Sequence, residues 1–277
     1  GKINDLETIS MTELYDTVYP SKPPLIDGLL YTGTYLFVGA PKLGKSYLMA
    51  QLAYHISTGT PLWDYTVRKG TVLYLALEDD YRRLQERLYR MFGTDSTDNL
   101  FFSVSADSLG NGLDAQLQRF MQEHTDTSLI IIDTLQKVRE VGGDNYSYAN
   151  DYEIITRLKQ FADKYGICIL LVHHTRKQTA DDKFNMISGT TGLLGAADGA
   201  FLLQKEKRTS NAATLEVSGR DQQDQKLYLN RNTETLLWEL ERTETELWKE
   251  PPEPLLEKKA QLLSSGSNEW TGTPTEL

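Results

Sequence analysis

Apolar positions along this 277-residue chain fall into two rhythms. Continuous apolar runs, Thr34–Val38, Thr71–Leu77, Leu100–Val104, Ser128–Ile132 and Ile167–Val172, predict strands buried on both faces. Between them lie segments with helical spacing: Tyr47–Ile56, Asp79–Phe92 with Leu84, Leu88 and Met91 on one face, Leu113–His124, and Tyr152–Tyr165. Strands alternating with helices predict a mostly parallel, doubly wound α/β sheet. After Gly189 the rhythm changes to short runs joined by polar turns: Ala200–Gln204, Ala213–Val217, Lys226–Leu229 and Leu236–Leu240. These predict antiparallel strands extending one edge of the sheet. Residues 1–33 read as an approach segment, interrupted by Pro20, Pro23 and Pro24, with Gly1 as the scar of a cleaved tag. The globular domain is expected over 34–242. Residues 243–277 hold a stiff linker around Pro251, Pro252 and Pro254, then a short helix from Leu255 to Leu263.

The first strand–helix junction carries chemistry. Gly39, Ala40, Pro41, Lys42, Leu43, Gly44, Lys45 and Ser46 form a complete G-x-x-x-x-G-K-S phosphate loop, with Tyr47 opening the helix behind it. In this setting backbone N–H groups and a helix N-terminus surround a triphosphate. Lys45 is expected to reach the β- and γ-phosphates, and Ser46 to place its hydroxyl on Mg²⁺. ATP and Mg²⁺ are the expected cofactors.

Three later residues belong to the same chemistry. Asp133 ends the run Leu129–Ile132, the Walker B position, and is expected beside the metal held by Ser46. Glu78 follows the second strand at the edge where open α/β sheets bind ligands, so its carboxylate suits a base for the attacking water. Asp79 and Asp80 behind it read as helix-capping residues. His173 and His174 end the fifth strand. With four histidines in the chain and no Cys or Glu–His partner at ligand spacing, a zinc site is disfavoured, and a sensor of the γ-phosphate is the better reading.

Composition narrows the class. The chain is 39% hydrophobic and 25% charged, as in globular proteins, with neither a membrane-length apolar run nor a basic-then-apolar leader. Its one cysteine, Cys168, lies in a core strand, which fits a reduced, cytoplasmic protein. The net charge of −10 is uneven: residues 171–231 carry 9 Lys and Arg against 7 Asp and Glu. Acidity thus weakens a nucleic-acid reading without removing it, because basic loops on one face are sufficient to bind phosphate.

The ordered set GAPKLGKS, VLYLALED, LIIIDTLQ, ILLVHHTRK, SGTTGLLGAADGAFLL and LEVSGRD resembles the RecA/DnaB-type hexameric helicase ATPases, closest to RepA-like replicative helicases and related mobile-element ATPases. The resemblance covers roughly residues 25–240. It implies a RecA-like P-loop NTPase, ATP hydrolysis by Lys45, Glu78 and Asp133, a sensor at His174, and a homo-oligomeric, hexameric ring acting on single-stranded DNA without a membrane. Arg220, in Ser218-Gly219-Arg220-Asp221, matches the arginine that the family inserts into a neighbouring subunit's site. The lysine often found two residues earlier is Ser218 here, and Lys205, Lys207 and Arg208 are the substitutes. The alternative for Arg220 is a surface ion pair with Asp221 or Asp224. Arg176 and Lys177 are expected on DNA phosphates, with loops near 140–150 and 176–190 facing a channel. A non-motor, ATP-dependent DNA-binding regulator or recombination accessory protein is the alternative function, and a small-molecule kinase fits less well. Glu269 to Leu277 resembles the opening of a helix-turn-helix domain found after such ATPases, cut off in its first helix; a disordered polar tail is the alternative.

Overall fold

The computed structural model describes residues 5–139, 148–175, 192–207 and 209–245. Among them the organising element is one nine-stranded sheet in the order β3-β2-β4-β5-β1-β6-β7-β8-β9. Its strands are β1 (Gly33–Gly39), β2 (Thr71–Ala76), β3 (Leu100–Ser103), β4 (Thr127–Asp133), β5 (Cys168–His174), β6 (Gly199–Gln204), β7 (Ala212–Gly219), β8 (Gln222–Arg231) and β9 (Trp238–Thr245). The helices are α1 (Met11–Asp16), α2 (Lys45–Thr58), α3 (Tyr81–Phe92), α4 (Leu113–Glu123), α5 (Leu135–Val138) and α6 (Tyr148–Tyr165).

Strand alternation explains the layers. On one face Tyr35, Phe37, Leu129, Ile131, Leu170 and Val172 pack with Leu48, Met49, Leu52 and Ile56 of α2. The intervening residues Leu36, Val38, Ile130, Ile132, Ile169 and Leu171 meet α4 and α6 on the other. Both faces being covered is why the central strands lack polar alternation. Cys168 is free and fully buried, as expected. The segment ahead of β1 is also built in: Leu25, Ile26, Leu29 and Leu30 have no exposed surface.

Three expectations need correction here. Residues 200–204 do not begin the antiparallel extension, because β6 pairs parallel to β1, with Tyr35 opposite Gly199 and Gly39 opposite Leu203. The connection from β5 runs from residue 175 to 198, long enough to carry the chain back to the starting edge, and parallel pairing needs such a crossover. Only β7, β8 and β9 run antiparallel. The last strand begins at Trp238 rather than Leu236, where φ is +64° and the backbone turns instead. Helix α3 begins at Tyr81, with Asp80 as its cap, not at Asp79. Among the described residues no helix is long and apolar enough to cross a membrane.

Candidate active site

The phosphate loop joins β1 to α2 at the C-terminal edge of the parallel strands. Gly39 closes β1, and Ala40, Pro41, Lys42 and Leu43 make the turn. Gly44 caps α2 at φ +93°, a left-handed conformation that costs an L-residue energy, and Lys42 also has positive φ, at +63°. The helix takes up Lys45, Ser46 and Tyr47 in its first turn, so it starts ahead of the expected Tyr47. A Cβ at position 39 would meet the Leu203 carbonyl oxygen at 3.0 Å and Lys45 Cδ at 3.1 Å, so glycine there lets β6 pair closely and leaves room for the lysine.

Lys45 is 4% exposed, and its ammonium donates to the carbonyls of Gly39 at 2.8 Å and Ala40 at 2.6 Å. Burial pushes its pKa down to about 8, against the pull of Asp133 and Glu78. A buried ammonium satisfied only by carbonyls is suited to an incoming anion. Together with the left-handed loop, this is a fit for a nucleotide's phosphates.

Asp133 shares the α2 face of β4 with Leu129 and Ile131, two and four residues before it. Its Oδ2 accepts from Ser46 Oγ at 3.4 Å and from the Tyr74 hydroxyl at 3.2 Å. Burial raises its pKa, opposed by His174 and the Tyr74 hydrogen bond. A hydroxyl and a desolvated carboxylate facing each other suit a hard divalent cation, so the chemistry of Ser46 and Asp133 is compatible with Mg²⁺.

The same phase argument separates the two histidines. Cys168, Leu170 and Val172 face α2, so His174 does too, whereas His173 points to the layer of α6. His174 Nε2 lies 3.3 Å from Glu78 Oε2, and Thr134 Oγ1 donates to Glu78 Oε1 at 3.3 Å. Glu78 follows β2 with a side chain 44% exposed, open to water on one side. Ligand atoms of Glu78, Asp133 and His174 come within 4.8 Å of one another. Spacing in the sequence did not bring these three together as a potential metal-binding group; the adjacency of β2, β4 and β5 does. Burial lowers the pKa of His173, and its Nδ1 has no hydrogen-bond partner among the described residues. Behind Glu78, Asp80 accepts from Arg83 N as a helix cap should, but Asp79 instead pairs with Arg87 at 2.8 Å.

Arg220 is not at this site. The β7–β8 turn sits at the opposite end of the strands, since Gly219 pairs with Gly199 and Gly199 with Tyr35. Four residues of β1 separate that level from Gly39, roughly 13 Å. The Arg220 side chain is 59% exposed and reaches Asp198 Oδ1 at 3.8 Å, not Asp221 or Asp224. Arg176, Lys177 and Arg208 lie outside the described residues, as do 140–147, 176–191 and the tail after 245.

Sequence reasoning missed the support behind the loop. Trp238 is 1% exposed, and its Nε1 donates to the Gly44 carbonyl at 3.1 Å. Gln51 of α2 holds the Trp238 backbone at both N and O, at 2.9 and 2.8 Å, and Trp63 Nε1 donates to the same O at 2.8 Å. Beside it, the guanidinium groups of Arg231 and Arg87 lie 5.3 and 5.6 Å from the Tyr47 ring centroid. Lys205 Nζ lies 5.9 Å from the Trp238 ring, its pKa lowered by burial and by Arg231. Tyr74, whose hydroxyl donates to Asp133, was not singled out either, although it shares the α2-facing side of β2 with Ala76. Nothing local marks Trp238.

The sheet order, the left-handed phosphate loop and the carboxylates at the strand tips define a RecA-like P-loop nucleotide-binding domain. The chain matches the AAA domain family over residues 5–180 and belongs to it. No curated protein matches it. Among solved structures, one ATPase domain superposes with a TM-score of 0.63 at 14% identity, covering 76% of this chain and 85% of that one. A DnaB-like replicative helicase, solved with regard to its interactions with primase, gives 0.62 at 16% identity, covering 82% of this chain and 66% of that one. At such identities the likeness establishes the RecA-like helicase ATPase fold alone.

Proposed function

We propose that this chain is a Mg²⁺-dependent ATPase that works as a RecA-like motor on single-stranded DNA, a RepA-like replicative helicase or loader of a plasmid, phage or other mobile element. The observation that carries this reading is the meeting of Glu78, Asp133 and His174 beside the phosphate loop. A phosphate loop alone would serve any nucleotide-binding protein. A carboxylate held by a histidine and a threonine, and still open to water, adds the means to hydrolyse.

Lys45 leaves the loop carbonyls for the phosphates and stabilises charge on the transferring group. Ser46 and Asp133 would hold Mg²⁺, which when bound would supply positive charge against the phosphates of the nucleotide. Glu78 orients the attacking water and takes its proton. His174 keeps one Glu78 oxygen in place, so a change at the γ-phosphate reaches the end of β5 and the segment that follows it. Arg220 is exposed and remote from its own site, which supports action on a neighbouring subunit in a head-to-tail ring. Arg176 and Lys177 are proposed DNA-phosphate contacts.

The test is ATP turnover with and without single-stranded DNA, joined to mass measurement with and without ATP. DNA-stimulated turnover with strand displacement is expected, and Lys45→Ala is expected to abolish it. Slow turnover indifferent to DNA, with ATP-dependent assembly, would replace the motor by a DNA-binding regulator.

A further inference from the structure

Tyr74 lies in the middle of β2, 1% exposed, with Phe102 of β3 and Ile131 of β4 as its strand neighbours. Phe102 packs against its ring from the β3 side, the two centroids 5.4 Å apart and the planes tilted by 35°. Counting by twos puts Tyr74 on the α2-facing side of the sheet with Ala76, whose partner in β4 is Asp133. Asp133 is therefore the diagonal neighbour of Tyr74, two residues beyond Ile131. An aromatic side chain spans such a diagonal, where a serine or threonine hydroxyl falls short. The Tyr74 hydroxyl closes it, donating to Asp133 Oδ2 at 3.2 Å.

The fold has little use for that oxygen. Val72 and Ala76, its neighbours on the same side of β2, are apolar, and phenylalanine would fill the place without carrying a polar group into the core. The use lies in Asp133. Among the described residues both side-chain hydrogen bonds to this carboxylate fall on Oδ2, from Tyr74 and from Ser46 Oγ at 3.4 Å, and Oδ1 takes none. The two donors are not equivalent. Ser46 belongs to the phosphate loop, and its oxygen has a cation to serve. Tyr74 makes no other side-chain hydrogen bond among the described residues and rides on a strand buried along its whole length. It is the donor whose place does not depend on the nucleotide.

We propose that Tyr74 is a positioning residue for the metal site: its hydroxyl fixes the rotation of the Asp133 carboxylate, so that an arriving cation meets a ligand already in place. This inference rests on the Mg²⁺-dependent ATPase reading and deepens it. Tyr74 touches neither nucleotide nor attacking water and acts through Asp133 alone. Hydrogen bonds to a ligating carboxylate from such outer partners orient it, and losing one commonly weakens metal binding about 10–100-fold. The same bond ties β2, which leads into Glu78, to the tip of β4, so the proposed base and the proposed metal ligand keep one spacing.

The experiment measures binding of Mn²⁺, a paramagnetic stand-in for Mg²⁺, to the full chain with ADP present, by loss of the free-ion resonance signal. Tyr74→Phe keeps the ring and removes only the donor. It should weaken Mn²⁺ binding by about tenfold or more, with ADP affinity in a metal chelator unchanged. The Mg²⁺ concentration that half-saturates ATP turnover should rise by the same factor. Tyr35→Phe is the control: that tyrosine is 2% exposed on the same side of the sheet, but its hydroxyl donates to Gln222 Oε1 at 3.0 Å, at the opposite end of the strands. It should keep its Mn²⁺ affinity. Tyr74→Phe/Asp133→Ala should bind Mn²⁺ no more weakly than Asp133→Ala, because Tyr74 acts through the carboxylate. Unchanged Mn²⁺ affinity in Tyr74→Phe, an equal loss in Tyr35→Phe, or independent losses in the double variant would each overturn the proposal alone. A wild-type chain that takes up no Mn²⁺ with ADP would overturn the ATPase reading, and this proposal with it.

Discussion

Replacing Trp238 by Phe tests whether the last strand shapes the phosphate loop. The substitution keeps an aromatic ring and the Gln51 and Trp63 bonds to the Trp238 backbone, but removes the Nε1 donor to the Gly44 carbonyl. That carbonyl retains only the 3.3 Å bond from Leu48 N at the start of α2. Losing a buried donor costs about 1–2 kcal/mol, and the void left by the smaller ring adds a similar amount, so unfolding should become easier by about 2–4 kcal/mol. The hydrogen-bond share falls on Gly44, whose left-handed conformation sets the loop. A loss of about 1 kcal/mol there predicts nucleotide binding weakened about fivefold. Denaturant unfolding and titration with a fluorescent ATP analogue measure the two effects. Trp63→Phe is the control, since its Nε1 bonds the Trp238 carbonyl rather than the loop. It should lose stability and keep affinity. Equal loss of affinity in both variants, or none in Trp238→Phe, would refute the idea that this bond shapes the loop.

Glu78→Gln keeps both side-chain contacts sterically possible but removes the base, so ATP should stay bound while hydrolysis falls at least roughly a hundredfold; normal turnover in a single-turnover assay would remove Glu78 from the chemistry. Arg220→Ala and Lys45→Ala, each inactive alone, should regain partial ATPase when mixed rings form, because one interface then pairs an intact Lys45 with an intact Arg220. Mixed rings confirmed by mass without recovery would exclude a role in trans. Arg176→Ala with Lys177→Ala should weaken single-strand binding and lower its salt slope by about two phosphate contacts. An unchanged slope would shift the DNA surface towards Lys205, Lys207 and Arg208.

What the sequence made readable was local or periodic. The phosphate loop is one contiguous string, and the α2-facing positions of Asp133 and His174 follow from counting by twos along β4 and β5. The parallel pairing of β6 was not readable, because a short apolar run carries no mark of its direction. Direction is set by where a long connection delivers the chain. The Trp238 support was hidden for a different reason: its partners Gln51, Trp63 and Gly44 lie more than 170 residues away, and only the packing of β9 on α2 joins them. Arg220 stood out in sequence, yet its distance from Lys45 needed the strand register.

The position of β1 in the sheet has a consequence for how the protein comes into being. Its two neighbours are β5, beginning at Cys168, and β6, ending at Gln204, so during synthesis the phosphate-loop strand emerges early and waits for most of the domain before either edge is paired. Non-local pairing of this kind is slow and leaves apolar edges open to other chains. A nascent chain that ends before Gln204 lacks β6, one of the two strands flanking the phosphate-loop strand, so fragments of that length are expected to hold nucleotide poorly.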